Sequence, residues 1–483
     1  YGITQTMHLT PRLMATGPML MASGICVERG SRPVLNGVDF QLSSGEIVAL
    51  TGDNGSGKTT LLETCAGILP LTAGVVSRQS ESGTIQTLRD YEGRRNQPPP
   101  TGLTLQRDGI SGEETVEERL EIALKIAGIE ISEPSSSDVL RDWRLEHRRA
   151  DRVAQLSGGQ RRRLAVLCGL APAVFSAEPR VVMLDEPSEG LDRSGKELLI
   201  GWLRGLAQNG HAVMVATHDQ SIINCCDREI EVSNGTLNET KGNSEGAPSV
   251  MPNPLSLVEQ STHGALIRWA IRMETRNPLD TTGRAAPALV ALLLSYALLL
   301  DIEMAHVGND LVAALVLAPA FITAVISPAL TRRLAEERCG AWWNAMIGPG
   351  ARQTYSLVGA SIILPLPITY LAWAILVDPS DFVNHSEVTR WLWLPALIII
   401  DVAVAAAALH LLVADLRRAS AAAASLLLLV LVWPFLQLTD ALSLMMTNGM
   451  SFGLSIGDPL ISCIIASLIS VAVWAVAVFL PDA

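Results

Sequence analysis

Residues 52 to 60, G-D-N-G-S-G-K-T-T, have the composition of a loop that holds phosphate. Gly52, Gly55 and Gly57 can take backbone angles closed to residues with a Cβ. The successive N–H groups through Asp53, Asn54, Ser56 and on to Thr60 can therefore converge on an anion where a helix begins near Lys58. Lys58 would reach the β- and γ-phosphates of a nucleotide, and Thr59 would hold Mg²⁺. A second group, R-V-V-M-L-D-E at 180 to 186, is an apolar run ending in two carboxylates. Asp185 suits the water shell of Mg²⁺, and Glu186 suits orienting or deprotonating an attacking water. A third, L-S-G-G-Q at 156 to 160, offers the Ser157 hydroxyl, the backbone N–H groups of Gly158 and Gly159, and Gln160 at the positive end of a following helix. His218, after the apolar run 213 to 216, could meet a γ-phosphate through its imidazole. Hydrolysis of a nucleoside triphosphate is the chemistry that this set can perform.

These residues need a scaffold of short buried strands. The run 47 to 51 before the phosphate loop reads as strand, loop and helix, and 181 to 185 and 213 to 216 read as further buried strands. Residues 19 to 27 and 38 to 42 show the alternation of two strands with polar turns between them. From 113 to 128 the spacing of Val116, Leu120, Ala123, Leu124 and Ala127 predicts a helix that opens a helical subdomain. The Ser-, Gly-, Arg- and Pro-rich stretch 80 to 100 reads as a surface excursion, and Arg161 to Arg163 as at least partly a solvated face.

The chain has 483 residues, of which 49% are hydrophobic, with a mean hydropathy of +0.31. That is too long for one ordinary domain and too apolar for a wholly soluble one. The formal charge of −12 is spread over both halves: 11 arginines, no lysines and 15 acidic residues follow Ser261, which leaves 25 basic and 33 acidic residues up to that point. Neither half has the basic excess of a nucleic-acid binder, so no nucleic-acid partner is expected. Seven cysteines without a C-x-x-C pair indicate packed thiols, with neither a disulfide framework nor a zinc site. Residues 1 to 18 carry no assignable pattern and no basic-then-apolar leader.

Residues 19 to 237 thus read as a soluble α/β domain, 238 to 264 as a solvated linker rich in Asn, Ser, Gly and Pro, and 265 to 483 as a membrane domain. Residues 266 to 276 set Arg268, Arg272 and Arg276 against apolar neighbours, as in a helix at the lipid surface. Six apolar spans follow, at 284 to 300, 307 to 330, 354 to 377, 392 to 414, 419 to 439 and 459 to 480, each approaching the ~20 residues that a bilayer core requires. Ten arginines fall on one side of this arrangement and Arg390 alone on the other, so the Arg-rich side is expected to be cytoplasmic. The longest loop on that side, 332 to 352, carries Trp342 and Trp343 as amphipathic anchors and charges suited to a groove on a soluble domain. It is the expected coupling segment. Asp401 and His410 lie within the fourth span, where a carboxylate should face protein or water.

The motifs in this order resemble the ATP-binding domain of ABC transporters over residues 19 to 237. Gly52 to Thr59 resembles the Walker A loop, Gln106 the Q-loop glutamine, Leu156 to Gln160 the signature, Val181 to Asp185 Walker B, Glu186 the catalytic glutamate, Ser188 to Asp192 the D-loop and His218 the switch histidine. The resemblance implies an α/β P-loop NTPase with a helical subdomain, followed by an all-α membrane domain of six transmembrane helices. It implies ATP and Mg²⁺ as cofactors, with Thr59, Asp185 and Gln106 around the metal. The family stacks an aromatic on adenine near the first strand; here Arg29 or Arg32 stands in that segment, and a guanidinium plane can stack on a purine.

In this family the signature of one domain faces the phosphate loop of another. One copy of each motif therefore implies a homodimer or pairing with a second half-transporter. Six spans after an N-terminal ATPase resemble the exporter branch that includes ABC-2 permeases, in the plasma or inner membrane with the ATPase cytoplasmic. The segment C-V-E-R-G-S-R at 26 to 32 is similar to the ATPase subunit of the cytochrome c maturation exporter, and the 332 to 352 loop to that system's permease subunit. The likeness implies work on heme, with further membrane partners supplying histidines and His306 and His385 as outer-face candidates. A general exporter of lipid, drug or polysaccharide, and a mechanical ATPase acting on a membrane partner, are the competing expectations.

Overall fold

A computed structural model of the chain describes residues 17–79, 83–130, 133–257, 262–276, 278–301, 308–326, 338–348, 358–359, 362, 365–377, 392–415, 420–448 and 457–479. The chain divides into two compact units. The first takes residues 1 to 262 together with 337 to 349, and the second takes 263 to 336 and 350 to 483.

The first unit is built on two sheets. Strands β1 (Pro18–Arg29), β2 (Arg32–Ser43), β4 (Ala73–Gln79) and β5 (Ile85–Asp90) form an antiparallel sheet in the order β2-β1-β4-β5. Strands β3 (Ile47–Thr51), β6 (Thr101–Thr104), β7 (Val181–Asp185), β8 (Ala212–Ala216), β9 (Arg228–Ser233) and β10 (Thr236–Lys241) form the other, in the order β10-β9-β3-β8-β7-β6. In this second sheet β6, β7, β8, β3 and β9 run parallel, and only β10 is antiparallel. Every residue of β3, β7 and β8 is buried. That is why they read as unbroken apolar runs rather than alternations: both faces of a parallel sheet are covered.

Helices α1 (Lys58–Cys65), α2 (Val116–Ile126), α3 (Glu133–Asp142), α4 (Gly158–Val174), α5 (Arg193–Gln208) and α6 (Gln220–Cys225) complete the cassette. The predicted face of α2, Val116, Leu120, Ala123 and Leu124, is fully buried. A capping box between Thr115 and Glu118 starts the helix.

Two expectations change. The stretch 80 to 100 is not merely a surface excursion, because β5 pairs with β4 from Ile85 to Asp90. Its Arg89 is 1% exposed and donates to the carbonyls of Gly67 and Ile68, just past the end of α1. A buried guanidinium there supplies donors to two carbonyls of the turn that follows the helix. The stretch read as a solvated linker likewise begins as β10, paired to β9 residue by residue. It then runs along the unit: Ser249 N–H donates to Gly201 O of α5 at 2.9 Å, and Leu255 N–H to Phe175 O at 3.0 Å. Small polar residues composed like a loop here lie along an equally small-residue helix face and use backbone hydrogen bonds that composition does not reveal.

The second unit holds α7 (Thr262–Arg276, whose first residue belongs to the first unit), α8 (Pro278–Asp301) and α9 (Asn309–Ile326). Next in the chain comes α10 (Cys339–Ile347), which belongs to the first unit. The chain returns to the second unit with α11 (Pro365–Val377), α12 (Trp393–Asp415), α13 (Ser420–Asn448) and α14 (Pro459–Phe479). Leu317, Leu394, Ile398, Leu438, Leu442 and Ala466 form part of its core. The buried Asp401 accepts from Ser467 at 3.0 Å, while the exposed Asp440 and Asp310 accept from the buried Ser462 at 2.9 Å and Ser443 at 2.5 Å. Large apolar side chains meanwhile face outward, Leu293 at 67% and Leu468 at 63% exposed.

Among the described residues one helix, over Pro459–Val476 with a mean hydropathy of 2.3, is long and apolar enough to cross a membrane. Shorter apolar helices lie at Ala286–Leu299, Asn309–Ile322 and Trp393–Ala405.

Candidate nucleotide-binding and hydrolysis site

The phosphate loop follows β3, Gln106 follows β6, Asp185 ends β7 with Glu186 next to it, and His218 follows β8. These four strands are parallel neighbours in one sheet, so sequence positions far apart meet along the carboxyl ends of the strands. The sheet topology assembles the site.

Gly52 has φ of +124°, and a Cβ there would stand 2.4 Å from the carbonyl oxygen of Val232. Only glycine fits. Gly57 caps α1 in a left-handed conformation without a side-chain hydrogen bond, and the first turn of the helix holds no acidic residue. The N–H groups of that turn are therefore left for an anion. Lys58 is 8% exposed, and its ammonium donates to Gly52 O at 2.6 Å and Asp53 O at 3.0 Å, which folds it over the loop. Thr60 is buried beneath the loop, whereas Asp53, Asn54 and Gly55 are exposed and Ser56 and Thr59 half-buried.

Asp185 is 1% exposed, and burial pushes its carboxyl up to about 6 against the opposing pull of a hydrogen bond from Thr59. Its Oδ2, like the Ser56 hydroxyl, has no partner among the described residues. A buried carboxylate oxygen next to a threonine hydroxyl, facing a phosphate loop, fits a hard cation with oxygen ligands. Thr59 and Asp185 could hold Mg²⁺. Gln106, exposed just past β6, is free to reach toward the same place.

Glu186 carries φ of +47°, a left-handed conformation that is uncommon for a residue with a side chain. Its N–H donates to Ala216 O at 2.8 Å, which anchors this backbone to β8. His218 Nδ1 stands 2.9 Å from Glu186 Oε2, with the imidazole side chain 75% exposed and the carboxylate 11%. Glu186 Oε2 accepts no hydrogen bond among the described residues, which leaves it for a water, and the histidine is open to a phosphate.

Ser157 and Gln160 form a capping box at the start of α4: Gln160 N–H donates to Ser157 Oγ at 3.3 Å, and Ser157 N–H to Gln160 Oε1 at 3.0 Å. The signature side chains therefore order their own helix end. Gly158 is exposed, and a Cβ there would meet nothing within 4 Å, so that end of α4 faces open space. Arg29, expected beside adenine, ends β1 with Nη2 2.5 Å from Glu63 Oε2. One edge of the guanidinium is engaged and its faces are not, since the side chain is 44% exposed.

Arg162 is the functional residue that sequence reasoning missed. It is 6% exposed and donates to Leu105 O at 2.9 Å, Asp108 Oδ1 at 2.8 Å, Glu186 O at 2.8 Å and Asp185 O. It ties the signature helix to the backbone of both hydrolysis carboxylates and to the segment that carries Gln106. The triple Arg is therefore not one solvated face. A signal was available: Ala165, Val166 and Gly169 follow at helical spacing, which puts Arg162 on the buried side.

The Trp-bearing segment, expected to carry amphipathic anchors and charges suited to a groove on a soluble domain, packs within the first unit. Trp342 and Trp343 are each 1% exposed within the first unit. Trp342 Nε1 donates to Leu103 O at 3.3 Å, the Arg119 guanidinium lies 3.6 Å from its ring centroid, and Arg95 donates to Asn344 O at 3.3 Å. A Cβ on Gly109 would stand 2.8 Å from that of Trp342, so the glycine admits the indole. Leu103 and Gly109 flank Gln106, which places this helix against the segment that reaches the site.

His306 and His385 lie outside the described residues. Asp401 meets Ser467, as reported above, and His410 falls within α12.

The family profile for ABC transporters matches residues 35–189. The chain is 32% identical over 229 residues to the lipoprotein-releasing system ATP-binding protein LolD of Bacteroides thetaiotaomicron, covering 45% of this chain and 99% of that protein. It is 29% identical over 248 residues to an ABC transporter ATP-binding protein of Methanosarcina mazei, covering 50% of this chain and 47% of the relative. A sulfate/thiosulfate import ATP-binding protein of Agrobacterium fabrum is 33% identical over 225 residues, covering 45% of this chain and 61% of that protein. The chain thus spans about half the length of several relatives that it matches. Among solved structures, a dimeric ATP-binding cassette in a post-hydrolysis state with ADP and Pi is 25% identical, with a TM-score of 0.39 over 47% of this chain and all of that one.

Proposed function

The chain belongs to the ABC transporter ATP-binding family, whose members bind ATP with Mg²⁺ and hydrolyse it, and from that premise we propose that it is an ATP-driven export-type half-transporter. The carrying observation is the convergence of Lys58, Thr59, Asp185, Glu186 and His218 on the ends of adjacent parallel strands.

In the hydrolysis that this geometry supports, the loop N–H groups and Lys58 bind the phosphates and hold the γ-phosphoryl group in place. Thr59 and Asp185 hold Mg²⁺, which when bound supplies positive charge against the phosphate oxygens. Glu186 orients the water and accepts its proton, and His218, 2.9 Å from that carboxylate, contacts the γ-phosphate. Gln106 links this chemistry to α10, whose Trp342 meets its segment on either side, at Leu103 and Gly109.

Two chains, or this chain and a second half-transporter, pair so that the exposed Ser157 and Gly158 and the half-buried Gly159 and Gln160 of one complete the phosphate loop of the other. The membrane assignment, for residues 265 to 336 and 350 to 483, is supported by outward apolar side chains such as Leu293 and Leu468 and by a buried carboxylate, Asp401, that is paired with Ser467 within the unit. The ATPase side is then cytoplasmic, in a plasma or inner membrane. Relatives are named for import as well as for lipoprotein release, so the export direction rests on the domain order and the Arg distribution of this chain. ATP hydrolysis in vesicles of the purified chain that rises with a translocated compound tests transport. Hydrolysis that answers only to a partner protein would favour a mechanical ATPase.

Heme is the substrate class we put forward, on the strength of the segment with Arg29 and the 332 to 352 loop. Cells lacking the chain should make heme but fail to attach it to c-type cytochromes. Normal holocytochrome levels would exclude heme and leave a general exporter of lipid, drug or polysaccharide.

A further inference from the structure

Glu63 lies on α1, the helix that begins with Lys58 and Thr59, and its side chain is 1% exposed. Taking a carboxylate out of water costs several kcal/mol unless it is paired and hydrogen-bonded. Here each oxygen has its own guanidinium: Arg29 at Oε2, 2.5 Å away, and Arg338 at Oε1. The two arginines come from different elements. Arg29 is the last residue of β1, and Arg338 caps α10 in a left-handed conformation with φ of +60°. That backbone is uncommon for a residue with a side chain, so its surroundings must hold it there. Both ion pairs lie within the first unit.

We propose that Glu63 is a positioning residue that ties α10 to the nucleotide site. By gripping Arg338 and Arg29 at once from the phosphate-loop helix, it makes the docking of α10 and the binding of ATP two halves of one equilibrium. Linkage is reciprocal: whatever nucleotide does to the Arg338 contact, the contact does to nucleotide affinity. Arg338 touches none of the residues assigned to ATP, and yet its loss changes ATP affinity through Glu63. This inference rests on the nucleotide reading above.

The test is steady-state ATP hydrolysis by the full chain in vesicles, with KM and kcat resolved for Arg338→Ala, Glu63→Gln, their double variant and Arg338→Lys. The expected result is a KM for ATP shifted about fivefold or more in each of Arg338→Ala and Glu63→Gln, with kcat within about twofold for Arg338→Ala. The double variant should be no worse than either single, and Arg338→Lys should recover most of the shift. Glu63→Gln leaves Arg29 and Arg338 at 44% and 29% exposed, able to turn to water, so the fold should survive. If it does not, Arg338→Ala and Arg338→Lys decide by themselves. Lys58→Ala is the control: wild-type ATP binding in that variant would overturn the nucleotide reading itself. Loss of binding in Lys58→Ala together with an unchanged KM in Arg338→Ala, or additive shifts in the double variant, would overturn the role of Glu63.

Discussion

Glu186 and Lys58 sit within one site but fail differently when removed. Glu186→Gln keeps the phosphate loop and loses the proton acceptor, so MgATP should still bind and bring two cassettes together while turnover falls at least 100-fold, on the order of a general base. Turnover near wild type would remove Glu186 from the chemistry. Lys58→Ala should instead weaken ATP binding itself, read by nucleotide titration. Arg162 acts on stability as well as on the site: truncating it to Ala leaves the carbonyls of Leu105 and Glu186 and the Asp108 carboxylate without their donor. A cost of about 3 to 5 kcal/mol is expected, measured by urea unfolding, with Arg162→Lys milder. His211 gives a pH signature. It is 3% exposed, its Nδ1 accepts the Arg180 N–H at 3.0 Å, and burial, then the charge of Arg180, lower its pKa to about 4 from the ordinary value of 6.5. Because the folded value lies below the unfolded one, the unfolded chain binds the proton first. Stability is full above about 6.5 and is lost as pH falls toward about 4, by roughly 3 kcal/mol in all. A His211→Gln variant whose stability falls as steeply over that window would show that another group is responsible.

α10 is a short helix whose two indoles are buried and whose neighbours in the chain on both sides belong to the other unit. Its contacts reach β6 through Leu103, α2 through Arg119 and the loop after β6 through Gly109. Replacing Trp342 and Trp343 together by alanine removes that contact without touching the phosphate loop. At saturating ATP, hydrolysis should persist at its basal rate while its response to a translocated substrate is lost. Full stimulation in the double variant would assign coupling to another segment. The capping box of α4 shows the opposite economy, with Ser157 and Gln160 serving the helix end while Ser157 remains exposed, and Gln160 half-exposed, for a second molecule.

At the scale of the molecule, each chain carries one phosphate loop and one signature, so a complete site needs two cassettes. ATPase activity per chain should therefore fall as the protein is diluted in detergent below its dimerisation constant. Mixing a Lys58→Ala chain with a Ser157→Arg chain should restore about one working site per mixed pair. Activity independent of concentration, with no rescue on mixing, would show that a single chain suffices.

What the sequence by itself determined is the local chemistry. The phosphate loop, the two carboxylates after an apolar strand, the signature and the face of α2 are patterns of neighbours, each readable over a few residues because backbone freedom, helix period and strand burial are local properties. The tertiary structure decided whatever depends on a partner far along the chain. Arg162 and Arg89 look like solvent-facing charges until the carbonyls that they donate to, in Asp185, Glu186, Gly67 and Ile68, are brought beside them. The stretch after Leu237 looked solvated because composition does not record that its backbone bonds to β9 and α5. Trp342 and Trp343 read as amphipathic anchors of a loop suited to a groove on a soluble domain, but an amphipathic ring serves protein or bilayer alike, and only the structure shows Gly109 and Arg119 as the groups that Trp342 meets. Desolvation is the reason common to all of these: its cost is set by what surrounds a group in space, and sequence distance does not report it.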